Sequence, residues 1–258
     1  GSFGLTFVRH MLARQDCPER LCILSRDEYK QQCMRQEFHD DYRLRFFLGD
    51  VRDESRLRLA FHGVDTVIHA AALKQVPAAE VNAVETVETN VIGSRNVARV
   101  AFELGVARVL GISTDKSSAA INCYGQSKAH MQKIFAHACL WGATQYNCVR
   151  YGNVLCSTGS VVPFWEKQAR EVGHITVTNP AMTRFWLTLD DAVDLVVLSL
   201  EETERGTVLV PKAPASTMAV LAEAVCPGVL TVDIGTRAGE KIHEQLLHAG
   251  ESQHSEDM

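Results

Sequence analysis

The stretch Gly111-Ile-Ser-Thr-Asp-Lys-Ser-Ser-Ala-Ala-Ile-Asn-Cys-Tyr-Gly-Gln-Ser-Lys128 decides how the rest of the chain is read. It opens at the end of an apolar run, Val109 to Ile112, that reads as a buried strand. Ser113, Thr114, Asp115 and Lys116 follow in succession, so hydroxyls, a carboxylate and an amine stand together where that strand leaves its sheet. Tyr124 and Lys128 lie four residues apart at the head of a helical pattern, which places phenol and ammonium on one face, one turn apart. An ammonium beside a phenol favours the phenolate and lowers its pKa, giving a base usable near neutral pH. Alone, a Tyr-x-x-x-Lys pair also occurs on ordinary surface helices. Here it follows a strand end that carries Ser113 and Thr114.

Outward from this stretch, strands and helices alternate. Strand patterns fall at 21–24, 44–48, 66–70 and 145–149, with helical patterns at 5–13, just after Asp53, and at 84–104. This order predicts an α/β fold with a doubly wound parallel sheet. Smaller elements follow: helices opening at 160 and covering 190–200 and 217–225, and short strands at 175–178, 208–210 and 232–234. The polar stretch 250–258 reads as a disordered tail.

Gly1 and Gly4, three apart at a helix start, suit close approach of backbone to phosphate, because a helix N-terminus presents free N–H groups and a positive dipole end. A plain helix cap is the alternative, since a full dinucleotide fingerprint has another glycine and a preceding hydrophobic strand. After the strand at 21–24 come Ser25, Arg26, Asp27 and Lys30. An acidic residue at such a strand end favours NAD, whereas an arginine pairs with the extra phosphate of NADP. Arg26 and Lys30 favour NADP, Asp27 argues for NAD, and a solvated helix start is the neutral reading. Asn90, polar within an apolar helical segment, suits a hydrogen bond to backbone near the central stretch.

The chain of 258 residues is 46% hydrophobic and 22% charged, ordinary values for a soluble globular protein. A net charge of -5 gives no general attraction to nucleic acid or anionic membrane. No apolar run approaches the roughly 20 residues that span a bilayer, and no secretory signal opens the sequence, so a cytoplasmic protein is expected. Eight cysteines without a Cys-x-x-Cys pair read as thiols in a reducing compartment, and ten histidines without ligand spacing give metal chemistry no support.

Six segments in order carry a family resemblance. They are His69-Ala70-Ala71-Ala72-Leu73-Lys74-Gln75-Val76-Pro77, Ser113-Thr114-Asp115-Lys116, Tyr124 with Lys128, Arg150-Tyr151-Gly152-Asn153-Val154, Met182-Thr183-Arg184-Phe185, and Arg237 with Gly239-Glu240-Lys241. Together they resemble the nucleotide-sugar branch of the extended short-chain dehydrogenase/reductase superfamily. Within it the chain is similar to the C5-inverting UDP-N-acetylglucosamine 4,6-dehydratases of the polysaccharide-biosynthesis proteins. The resemblance implies an NADP-binding Rossmann domain over 1–155 that lacks its first strand. It also implies a smaller C-terminal α/β substrate lobe, mainly 156–249, with some segments returning to the sheet. Gly1 and Gly4 would then end a Gly-x-x-Gly-x-x-Gly loop in a fragment of a longer protein.

For the site, the resemblance implies cofactor contacts from Gly1, Gly4, Ser25, Arg26, Lys30, Asp50, Val51, Ala70, Ala71, Lys74, Asn90, Tyr124 and Lys128. Asp50 would meet the adenine amino group, with a simple turn aspartate as the alternative. Lys74, Arg150, Asn153, Thr183, Arg184, Arg237 and Glu240 would meet a UDP-sugar. A structural salt bridge is the other reading of Arg150 and Arg237, and core or hinge roles are the other readings of Asn153, Thr183 and Arg184. Tyr124 with Lys128 would remove the proton of the sugar 4-hydroxyl, with Thr114 bonded to it, while Lys116 and Asp115 would act as base and acid in the loss of water. An epimerase or ketoreductase shares Tyr124 and Lys128 but has no use for Asp115 and Lys116. A non-catalytic NADP-binding protein is the remaining alternative. A homo-oligomer is expected, with membrane attachment only through an upstream region.

Overall fold

The computed structural model describes residues 1–257. The N-terminal part runs α1 (Ser2–Ala13), β1 (Leu21–Ser25), α2 (Glu28–Glu37), β2 (Leu44–Leu48), α3 (Glu54–Phe61) and β3 (Thr66–His69). Next come α4 (Val76–Val81), α5 (Ala83–Thr86), a π-helical turn (Val87–Ile92) and α6 (Gly93–Glu103). The long helical pattern therefore breaks at its middle, where Asn90 sits. β4 (Arg108–Thr114) passes through a 3₁₀ turn (Asp115–Ser117) to α7 (Cys123–Ala138) and β5 (Gln145–Tyr151).

All pairings among these strands are parallel, in two blocks: β1 with β2, and β3-β4-β5-β9 in that order, where β9 is a later strand given below. No backbone ladder joins β1 to β3 among the described residues. Side chains bridge the two blocks instead. On one face, α1 packs Phe3 and Phe7 beside Leu110 and Val149, and Val8 against Met34 and Leu44. On the other, α3, α6 and α7 bury Leu57, Val97, Met131 and Phe135 in one core that also takes Leu24 and Phe47. Apolar surface on both sheet faces is what makes the fold three-layered.

Beyond β5 lie β6 (Asn153–Val154), α8 (Val161–Val172), β7 (His174–Val177), β8 (Thr183–Leu187) and α9 (Leu189–Glu202). β9 (Val208–Leu209), β10 (Ala215–Thr217), α10 (Met218–Val225), β11 (Leu230–Asp233) and α11 (Ala249–Ser252) complete the chain. A separate core of Trp165, Ile175, Val177, Met182, Trp186 and Met218 belongs to α8, β7, β8 and α10. α9 and β9 return to the large sheet, β9 pairing with β5.

The expectation of a disordered stretch at 250–258 is corrected at its start. α11 carries a capping box between His248 and Glu251, and the Glu251 carboxylate takes both amino nitrogens of the buried Arg150 at 2.7 Å. A polar composition hid an ion-pair partner that a buried guanidinium demands.

α7 approaches the 3₁₀ turn so closely that only glycine fits at its third position. A Cβ on Gly125 would overlap the Lys116 carbonyl oxygen and lie 2.9 Å from its carbon. Gly125→Ala is therefore expected to cost about 1–3 kcal/mol through backbone displacement. A thermal melt checks this; an unchanged Tm would show that the turn yields freely.

Candidate active site

β4 is buried along most of its length and delivers Thr114 to the carboxyl edge of the sheet, where open α/β sheets hold ligands. Thr114 caps the 3₁₀ turn and donates its hydroxyl to Asp115 Oδ1 at 2.9 Å. Lys116 Nζ donates to the same oxygen at 3.0 Å and to Asn153 Oδ1 at 3.1 Å. Asp115 has no exposed surface, and its Oδ2 has no hydrogen-bond partner. An orphaned buried carboxylate oxygen is costly to fold around and marks a functional site.

Behind the turn, Gln132 donates to the hydroxyls of Ser113 and Ser117 and accepts from Arg150 Nη2 at 2.6 Å. Arg150 Nη1 also donates to the Leu246 carbonyl at 2.9 Å. With Glu251 added, both amino nitrogens are used inside the fold, and the residue is 3% exposed. The expected phosphate contact at Arg150 is thus replaced by the structural reading: it ties the C-terminal segment to the back of the site.

Tyr124 stands at the head of α7. Burial and the Asp115 carboxylate push its phenol well above the ordinary tyrosine value, while the Thr114 hydroxyl pulls the other way. The expected depression by Lys128 is not found. Lys128 is 2% exposed and donates to Met131 Sδ at 3.0 Å, and burial lowers its pKa to about 8. The two residues do share a face of α7, but the lysine stem runs along the helix into the core. There Lys128 also faces His69, whose buried imidazole is driven down to about 3, first by burial and then by the lysine.

The residues read as cofactor contacts gather at the strand ends. The space beside Gly1 and Gly4 is open, with nothing within 4 Å of an added Cβ, and the N-cap of α1 makes no side-chain cap bond. Lys30, Lys74 and Asp27 bring their charges to the head of α1. Ser25 Oγ accepts from Gln31 at 2.9 Å. The half-exposed Arg26 lies 3.5 Å from Asp50, and Lys30 is paired with Asp27 at 2.6 Å. Burial opposes ionisation of Asp50, yet Arg52 and Arg26 hold its carboxyl below the usual value. Ala70 and Ala71 are exposed at the end of β3, and burial lowers the pKa of Lys74. An open helix N-terminus, small exposed residues and a half-exposed arginine fit a dinucleotide.

Val51 departs from the cofactor contact expected of it, whereas Asn90 makes the backbone hydrogen bond that its place in the helix led us to expect. Val51 turns its side chain into the core, where a Cβ on Gly93 would meet its Cγ2 at 2.6 Å. Asn90, wholly buried, accepts from Leu73 N at 2.8 Å and donates to the Leu73 carbonyl and Ser127 Oγ at 2.9 Å each. Both ends of its amide are used, so it clamps the 70–77 loop to α7 rather than reaching a ligand. π-helical turns often mark functional sites, and this one aims the clamp.

From the smaller lobe, Asn153 enters the site through Lys116. Thr183 pairs its hydroxyl with His243 Nδ1 at 2.9 Å. Arg184 is buried and donates to the carbonyls of Thr183, Lys241 and Ile242, so it anchors the segment carrying Glu244, the core role that was the alternative to a substrate contact. Glu240 accepts from Arg237 N at 3.1 Å within an exposed turn, which Asn122 holds through Gly239 O at 2.8 Å. The Arg237 side chain is exposed there and available to an anion. Sequence reasoning passed over Glu244, which is 6% exposed beside Lys241. Its one signal was a glutamate three residues beyond a lysine.

Known proteins are similar to this chain in sequence and in fold. A UDP-N-acetylglucosamine 4,6-dehydratase (inverting) from Campylobacter jejuni subsp. jejuni is 41% identical over 256 residues, spanning 98% of this chain and 76% of its own. A UDP-glucose 4-epimerase from Rickettsia felis is also 41% identical, over 100% of this chain and 78% of its own. The crystal structure of Pen from Bacillus thuringiensis superposes with a TM-score of 0.94 at 32% identity, covering 98% of this chain and 82% of its own. DesIV from Streptomyces venezuelae, a dTDP-glucose 4,6-dehydratase solved with NAD and TYD, shares the fold at a TM-score of 0.88 and 23% identity, covering 98% and 87%. The family model for polysaccharide biosynthesis proteins matches residues 1–258, and the chain belongs to that family.

Proposed function

We propose that this chain is a nucleotide-sugar 4,6-dehydratase acting on UDP-N-acetylglucosamine, with inversion at C5 and a recycled NADP cofactor. The observation that carries the reading is the acid–amine pair: the buried Asp115 and the part-buried Lys116 in contact at 3.0 Å, beside Thr114 and Tyr124 at one strand end. Tyr124 takes the proton of the sugar 4-hydroxyl, and Thr114 bonds that hydroxyl. A bound nicotinamide dinucleotide supplies hydride acceptance from C4 and hydride return to C6, so the reaction is redox-neutral. The 4-ketone acidifies the C5 proton, which Lys116 removes while Asp115 protonates the departing 6-hydroxyl. A lysine as the C5 base goes with reprotonation on the opposite face.

The epimerase reading draws on the Rickettsia relatives and leaves the buried pair without a task. Incubation with UDP-N-acetylglucosamine and NADP separates the two by mass. Loss of one water with a 4-keto product supports the dehydratase; an isomer of unchanged mass overturns it. For the cofactor, Arg26→Ala is expected to weaken NADP by about 10-fold or more, the worth of a hydrogen bond to a charged group, and NAD much less. Equal losses in a binding titration would remove Arg26 from the 2′-phosphate.

A further inference from the structure

The stretch 117–123 joins the acid–amine pair to Tyr124, and the segment 239–242 holds it at two points. Lys241 Nζ donates to the Ser118 carbonyl at 2.6 Å. Ser118 is wholly buried, and its own N–H closes the 3₁₀ turn by donating to the Asp115 carbonyl at 3.0 Å. Farther along, Asn122 Nδ2 donates to the Gly239 carbonyl at 2.8 Å, while Asn122 Oδ1 caps α7 by accepting from Gly125 N at 2.7 Å. Between these points Ala119 has a φ of 44°, in the left-handed region. That conformation is unfavourable for an L-residue and persists only where its surroundings hold it. Ala119 is exposed, so its own packing does not do this. The holding segment is itself fixed to β8: Thr183 N donates to the Ile242 carbonyl at 3.0 Å, and Arg184 donates to the carbonyls of Lys241 and Ile242. The Lys241 side chain is 14% exposed, with Glu244 Oε2 3.7 Å from its Nζ.

We infer that Lys241 is a positioning residue for the elimination step: through the Ser118 carbonyl it fixes where Asp115 and Lys116 stand relative to Tyr124. The inference rests on the dehydratase reading. One bound sugar then has to meet Tyr124 at its 4-hydroxyl and the acid–amine pair at C5 and C6. The spacing of those groups therefore counts as much as their identity, and a misplacement of about 1 Å can cost about 10²-fold in rate. Tyr124 is set by α7, whose cap Asn122 has its own tie to Gly239. Gln132 holds Ser117 from behind at 2.8 Å, so Ser118 is the next point at which the turn can shift. Loss of the bond from Lys241 is thus felt first at Asp115 and Lys116, and least at Tyr124.

The test uses the full chain with added cofactor. Lys241→Met keeps the stem and loses the donor, whereas Lys241→Arg keeps a donor of similar reach. Lys241→Gln leaves a polar group beside Glu244 and serves the same comparison should the methionine variant not fold. In a single turnover Lys241→Met is expected to reduce the cofactor near the wild-type rate but to lose water about 10-fold or more slowly, the worth of a hydrogen bond from a charged group. Reduced cofactor then accumulates, while Lys241→Arg follows the wild type. Amide exchange read by mass spectrometry should quicken over 117–122 in Lys241→Met. A merely structural role would slow both stages alike. Equal slowing of both stages, no slowing of elimination, or the same loss in Lys241→Arg as in Lys241→Met overturns the inference. So does unchanged exchange over 117–122. A wild type that gives no 4-keto product, with exchange still quickened in Lys241→Met, overturns the dehydratase reading and the elimination role, and leaves the hold on the turn standing.

Discussion

Lys116→Ala and Asp115→Asn are expected to bind the cofactor yet lower water elimination by about 10²–10⁴-fold, the usual worth of one positioned base or acid. The reason is specific to the step. Oxidation at C4 draws on Tyr124, Lys128 and the cofactor, whereas elimination across C5 and C6 also needs a proton acceptor and a donor. Deuterium from solvent should enter at C5 during turnover by the wild type, and Lys116→Ala should suppress it. Mass spectrometry of the product reads both. Normal incorporation and turnover in Lys116→Ala would sink the assigned base, and with it the preference for dehydratase over epimerase. Lys116→Ala also removes the hydrogen bond that Nζ makes to the buried Asp115 Oδ1, so a stability loss is expected that the isosteric Asp115→Asn lessens. Comparing the two variants separates chemistry from folding.

Tyr124→Phe is expected to stop the reaction one stage earlier, with a loss of similar size, about 10²–10⁴-fold. Without the phenol the 4-hydroxyl keeps its proton, so no reduced cofactor appears in a single turnover and no C5 exchange follows. The reduced cofactor is followed by absorbance. Reduced cofactor without elimination in Tyr124→Phe would show that another group takes the 4-hydroxyl proton. With the phenol pushed up by burial and by Asp115, and Lys128 turned to Met131, the resting geometry alone does not make the phenolate.

Much of this protein was legible in its sequence because local chemistry determines it. The run from Val109 to Ile112 forms the middle of β4, and Tyr124 opens α7, because apolar periodicity and a capping asparagine at 122 suffice to specify them. Ser113, Thr114, Asp115 and Lys116 share a site because four consecutive residues leaving one strand cannot be far apart. Long-range partners are a different matter. Arg150 looked like a phosphate ligand until Glu251 and Gln132 came to it across the fold, and the backbone bond expected of Asn90 found its partner in Leu73, seventeen residues away. Arg184 was taken by backbone carbonyls in the same way. Side-chain direction was equally hidden: spacing placed Lys128 below Tyr124, and packing sent its ammonium to Met131. Sequence spacing fixes which face a residue occupies, but which polar groups meet there depends on the burial of partners up to a hundred residues away. For that reason Glu244, silent in the sequence, emerges only when β8 brings its segment against the Asp115–Lys116 turn.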